Sequence, residues 1–100
     1  MIRGSTVTHV FNIPLEANKI KELKVTYSQD NSIVLYRKKS NCVVDDYKIT
    51  VTLLQEDTFK FDSSKNVNIQ LRILTNEGIA LSSRVMTVSI GRCLDNEVLV

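Results

Sequence analysis

Side chains that alternate between apolar and polar at every second position are the strongest constraint on what this chain can fold into. Val7, His9, Phe11 and Ile13 share one parity and Thr6, Thr8, Val10 and Asn12 the other. The same beat returns at Leu23, Val25 and Tyr27, at Tyr47, Ile49, Val51 and Leu53, and at Val67, Ile69, Leu71 and Ile73. A period of two sets alternate side chains on one face of a pleated strand, so each segment predicts a half-buried β-strand. Composition points the same way. The 100 residues include 12 valines, 9 isoleucines and 8 threonines against 2 alanines. β-Branching stiffens a side chain against the preceding helical turn but suits a pleated surface. With 10 leucines and 3 phenylalanines besides, the chain is too apolar for a disordered segment. About 100 residues are enough for one core and too few for two, so residues 1–100 are expected to form a single domain.

Punctuation between these runs sets the connections. Residues 5–13 form the first expected strand, which Pro14 ends because proline cannot donate to a ladder. Residues 15–21 read as a connection with room for one helical turn, anchored by Leu15 and Ile20. Residues 22–29 and 33–37 read as a hairpin about Asp30-Asn31-Ser32, whose side chains tolerate left-handed backbone. A polar stretch, Arg37 to Asn41, leads to a short edge strand at 42–44, and the Asp45-Asp46 turn opens the strand at 47–54. Gln55 to Thr58 suits a turn or one helical turn, with Phe59 and Phe61 plugging the core behind it. After residues 67–74, Asn76-Glu77-Gly78 reads as a hairpin turn in which Gly78 takes positive φ. The return strand changes parity between Ile79/Leu81 and Met86/Val88/Ile90, so an extra residue is expected near Ser82-Ser83-Arg84. Residues 92–100 read as a C-terminal arm. Six or seven strands with short turns predict an all-β, antiparallel β-sandwich of immunoglobulin-like arrangement, with a small β-barrel as the alternative.

The inventory for catalysis is sparse. His9 is the sole histidine and lies on the inward parity, where a packed or rim role is expected; no nucleophile motif accompanies it. Cys42 and Cys93 lack the close spacing of zinc or redox pairs, and free thiols are expected of a protein made in a cytoplasm. Asp45-Asp46, Glu56-Asp57 and Asp30-Asn31-Ser32 read as turn chemistry, and Gly4, Gly78 and Gly91 are too scattered to cradle a phosphate. No cofactor and no metal are expected. With a formal net charge of +2, nucleic acid is not the favoured partner. Arg37, Lys38 and Lys39 form the candidate basic patch, and edge-strand protection explains them more simply. Tyr27, Tyr36 and Tyr47 read as mostly inward. Without an apolar run of about 18 residues, a membrane partner is not expected. The candidate interaction residues are Leu94, Val98 and Leu99 on the arm, and the outward row Asn68, Gln70 and Arg72.

The runs Met1-Ile2-Arg3-Gly4-Ser5-Thr6, Thr8-His9 with Phe11, Leu54-Gln55-Glu56-Asp57-Thr58-Phe59, Asn68-Ile69-Gln70-Leu71-Arg72 and Cys93-Leu94-Asp95-Asn96-Glu97-Val98-Leu99 resemble a family of short prophage-encoded proteins of Gram-positive gut bacteria. The resemblance spans nearly the whole chain and brings no catalytic residues with it. It implies a phage structural protein of the tail or baseplate kind, made in the bacterial cytoplasm, associated with the virion, and partnered by itself or by other phage proteins. Non-enzymatic protein–protein interaction is therefore the leading expectation. Recognition of a cell-surface carbohydrate and accessory nucleic-acid binding are the alternatives.

Overall fold

The computed structural model describes residues 1–100. The alternating segments form β1 (Val7–Asn12), β2 (Ile20–Gln29), β3 (Ser32–Lys38), β4 (Val43–Asp45), β5 (Lys48–Leu53), β6 (Val67–Thr75), β7 (Ala80–Ser82) and β8 (Met86–Val88). A single helical turn, α1 (Gln55–Thr58), and two short 3-10 turns at Ala17–Lys19 and Lys39–Asn41 complete the regular structure. Two antiparallel sheets result. One has the order β1-β5-β4; the other has the order β3-β2-β6-β7, with β8 also pairing with β6. These are the relative positions of strands B-E-D and C′-C-F-G in an immunoglobulin-type sandwich. In place of the missing first strand, Ile2 makes a parallel bridge to Gly91. The sheets do not join into the barrel that stood as the alternative.

The inward parities meet as expected. Phe11, Ile49, Val51 and Leu53 from one sheet pack against Leu23, Val25, Tyr27, Ile69, Leu71 and Ile73 from the other, and Phe61 closes one end of the core. Phe59 behind it is only half-buried and lies against Gly4, where an added Cβ would stand 2.5 Å from the ring and φ is +80°. Three irregularities reconcile the sequence with this core. Lys21 is an extra residue in β2, since Ile20 pairs with Thr75 and Glu22 with Leu74. It lets Ile20 and Leu23 both face inward despite opposite parity, and it moves the start of the strand from 22 to 20. Asp30 and Asn31 take φ of 48° and 63°, closing the β2–β3 hairpin as a two-residue turn. The parity change of the return strand falls where it was expected: Arg72 pairs with Ser82 but Ile69 pairs with Met86, a shift of one residue between β7 and β8. Ser83 fills the break, its amide donating to Leu71 O and its hydroxyl accepting from Leu71 N–H.

Two expectations need correction. Tyr47 does not begin a strand facing inward; it sits in the turn before β5 at φ 64° and is 54% exposed. Its left-handed backbone turns the ring out of the alternation that Ile49 and Val51 keep. Tyr36 is also exposed, on the outer face of β3 beside Lys24, whose ammonium lies 4.4 Å from the ring centroid. Tyr27 alone of the three is in the core.

Candidate functional site

The two long sides of the sandwich differ. On one, edge strands β3 and β4 are bridged by the 3-10 turn Lys39–Asn41, and charge guards them. Arg37 pairs with Asp57 of α1 at 2.7 Å, Lys39 donates to Ile20 O at 2.8 Å, and Lys38 is exposed. Of the candidate basic patch, Arg37 and Lys39 are thus engaged in separate structural contacts and Lys38 alone is left to solvent. Burial alone would raise the Asp57 pKa, but the bond from Arg37, the Leu54 amide and the nearby Arg37 and Lys60 charges hold it below the ordinary carboxylate value.

On the opposite side only the N-terminal segment crosses between the sheets: just beyond β8, Gly91 N–H donates to Met1 O and Arg3 N–H to Gly91 O before the chain enters β1. The free edge of β1 faces that of β7 and β8 across an apolar cleft of about 540 Å³. Phe11, Ile13, Leu71 and Ile73 form its floor, and Val10, Leu81 and Met86 are exposed at its lips. β1 contains no lysine, proline or acidic residue, and β7 and β8 are three residues each without a charge. An unguarded edge of this kind is a template for another strand.

The two sets of candidate interaction residues fare differently. Asn68 accepts a bond from the Thr87 hydroxyl and Gln70 donates to Ser83 O; both sew the return strand to β6, and Arg72 remains exposed. On the arm, Leu94 and Leu99 are 91% and 77% exposed and Val98 is half-buried. Polar groups hold the arm instead. Gln55 bridges Leu99, its amide nitrogen donating to Leu99 O and its oxygen accepting from Leu99 N–H. Arg3 donates to Asn96 Oδ1 and to Phe59 O, with its guanidinium over the Phe59 ring.

Sequence reading missed a row of cations on the outer face. Lys38, Lys24 and Arg72 are direct cross-strand neighbours on β3, β2 and β6, and none forms an ion pair. Like charges directly opposite destabilise a sheet. Arg72→Glu is therefore expected to stabilise the domain by about 0.5 kcal/mol in urea unfolding at low ionic strength, with the gain vanishing near 1 M salt, where screening acts within roughly 3 Å. A destabilised variant would contradict this account of the row.

A second cleft, of about 550 Å³, lies where three connections meet at one end of the sandwich. The β1–β2, β4–β5 and β6–β7 connections are stitched together there. Ile13 N–H donates to Tyr47 O and Tyr47 N–H to Leu15 O; Asn76 N–H donates to Lys19 O and Ala17 N–H to the Asp46 carboxylate.

No group of three or more histidine, cysteine, aspartate or glutamate side chains converges as a metal site. Cys42 and Cys93 are free thiols, and burial pushes the Cys42 thiol above its ordinary value. No helix is long and apolar enough to cross a membrane.

No family model, curated protein or solved structure matches this chain.

Proposed function

We propose that the chain is a non-enzymatic interaction module of a phage tail, baseplate or related assembly, working by strand addition at its unguarded side. The observation that supports this reading is the asymmetry of the edges. Charge and a crossover cover the β3/β4 side, whereas β1 and β7/β8 border an apolar cleft that has no charged residue in its lining and that the N-terminal segment, paired beyond β8, leaves open. A partner strand laid along β1 would gain main-chain hydrogen bonds and bury Val10, Leu81 and Met86, the mode by which extended peptides augment sheets.

The strand donor in this proposal is the arm of a neighbouring copy. Extended, residues 92–100 reach roughly 30 Å at about 3.3 Å per residue, enough to run the length of the six-residue β1. Leu94, Val98 and Val100 then share one face. One copy's arm in the next copy's cleft is a head-to-tail contact, which propagates into rings or filaments, as an assembly component requires.

Light scattering over a dilution series tests this reading. The full chain is expected to self-associate, and both a chain lacking residues 93–100 and Val10→Lys are expected to be monomeric. All three should remain folded: the two monomeric variants lose only the stabilisation that association gives the full chain, Val10 being exposed, and the truncated chain loses in addition about 1–2 kcal/mol with its Arg3–Asn96 and Gln55–Leu99 bonds, because no core residue lies beyond Ile90. A truncated chain that assembles normally eliminates the arm, a normally assembling Val10→Lys eliminates the edge, and a monomeric full chain eliminates self-assembly.

A further inference from the structure

The loop-end cleft adjoins the open edge, sharing Pro14 and Leu81 with it, and it is built around a residue in an unfavourable conformation. Tyr47 holds φ at 64°, a region in which a bulky side chain is an outlier and costs about 1–2 kcal/mol. The strain is maintained by the backbone, since both the N–H and the C=O of Tyr47 are bonded to the β1–β2 connection. Its effect is to lift an aromatic ring from the inward parity and set it, more than half exposed, at the wall of the cleft. A strained residue over-determined by its surroundings points to a use for the geometry.

The lining indicates the chemistry. Leu15, Ile79 and Leu81 supply an apolar surface, and the polar side chains are of both kinds: Glu16 and Glu77 accept, Lys19 donates, and Asn18 and Asn76 can do either. A cation would be served by acceptors alone and an anion by donors alone. Hydroxyl groups both donate and accept, and a sugar ring also presents a C–H face to an aromatic ring. We propose that this cleft binds a neutral, hydroxyl-rich ligand of the saccharide class, with Tyr47 as its stacking platform and Glu16, Asn18, Asn76 and Glu77 as its hydroxyl partners. The cleft volume lies within the usual range for small-ligand sites, about 300–1,000 Å³. The Tyr47 hydroxyl donates to Glu16 at 3.3 Å, which fixes the ring's tilt. The Glu16 charge and this bond both raise the phenol's pKa, so the ring remains neutral. The stitching between the connections makes the site preorganised, so little ordering is left for the ligand to offset.

The test uses the full chain on an array of neutral glycans, followed by amide-shift titration with the strongest binder and, separately, with inorganic phosphate and acetyl-lysine methyl ester. The expected result is a saturable response to a neutral oligosaccharide confined to residues 14–19, 46–47 and 75–79, with neither small ion competing. Tyr47→Gly removes the ring and accepts positive φ without strain; it should weaken binding at least tenfold while the melting temperature stays within about 5 °C of the parent's. Tyr47→Phe keeps the ring and should retain binding within about threefold, since a stacked ring contributes more than one exposed hydroxyl bond. An array without signal, displacement by phosphate or the lysine ester, or a saccharide response that survives Tyr47→Gly would each overturn the proposal. Because the two clefts share Pro14 and Leu81, the titration is repeated on Val10→Lys, whose unchanged saccharide response would separate this site from self-association at the open edge.

Discussion

Gln29→Leu is expected to destabilise the domain by about 3 kcal/mol, lowering its melting temperature by roughly 15 °C at about 5 °C per kcal/mol for a chain of this size. Gln29 ends β2 on the inward parity of Leu23, Val25 and Tyr27, and it is buried. Its amide nitrogen donates to Asp62 O at 2.7 Å and Lys65 O at 3.1 Å, while its oxygen accepts from Asp62 N–H at 2.9 Å. One side chain thus ties the turn before β6 to the end of the core. Leucine nearly preserves the volume but removes all three bonds, each contributing about 1 kcal/mol, and strands backbone groups that the glutamine satisfied. Urea unfolding gives the free energy, and hydrogen exchange at residues 62–65 shows whether the turn has come loose. A loss below about 1 kcal/mol would mean that water satisfies the turn as well as Gln29 does.

Gln29 also shows how far this fold is legible in its sequence. Parity alone places it inward, and parity likewise predicts β1, β2, β5 and β6 and the inserted residue between β7 and β8. Alternation is reliable there because a one-residue slip would turn an entire apolar face to solvent. It fails where the backbone leaves the extended region. Tyr47 continues the pattern of Ile49 and Val51 on paper, but its left-handed φ reverses it, and only the hydrogen bonds from the β1–β2 connection impose that φ. Ile20 departs from the parity of Leu23, and the bulge at Lys21 that reconciles them has no glycine or proline to announce it.

The candidate sites are less legible still, since they are products of topology. Residues of the β1–β2 connection, Tyr47 and residues of the β6–β7 connection lie some 30 residues apart along the chain and become one cleft only when the sheets stack. Lys24, Lys38 and Arg72 look unrelated until the β3-β2-β6 register aligns them. Lys38 beside Arg37 and Lys39 suggested a patch because adjacency in sequence is visible and adjacency across strands is not. The arm is the reverse case: its apolar residues stand out in the sequence, and Leu94 and Leu99 do remain exposed.

The sole histidine is expected to make the stability of this domain sensitive to mild acid. His9 on β1 and Tyr27 on β2 belong to different sheets, and His9 Nδ1 lies 2.8 Å from the Tyr27 hydroxyl across the core. The Tyr27 hydroxyl has no other partner, so it is best satisfied by donating to an unprotonated Nδ1, which requires neutral imidazole with its proton on Nε2. Burial, and then the charge of the N-terminus, lower the His9 pKa below its ordinary 6.5. Above pH 6.5 neither the folded nor the unfolded chain holds this proton, and the contribution to stability is complete. As pH falls below 6.5 the unfolded chain protonates first, so stability declines until the lower folded-state pKa has been passed. Urea midpoints at pH 7.5 and 5.5 should therefore differ in the parent and converge in the double variant His9→Leu/Tyr27→Phe, which removes both polar groups from the core. Tyr27→Phe alone should lose about 1 kcal/mol at pH 7.5 and keep the acid sensitivity, because the imidazole remains desolvated. An equal pH response in the parent and the double variant would place the titrating group elsewhere. Immunoglobulin-type domains of antibodies join their sheets with a disulfide between strands B and F. Here a hydrogen bond joins β1 to β2, the B and C positions, and unlike a disulfide it weakens when a single proton binds.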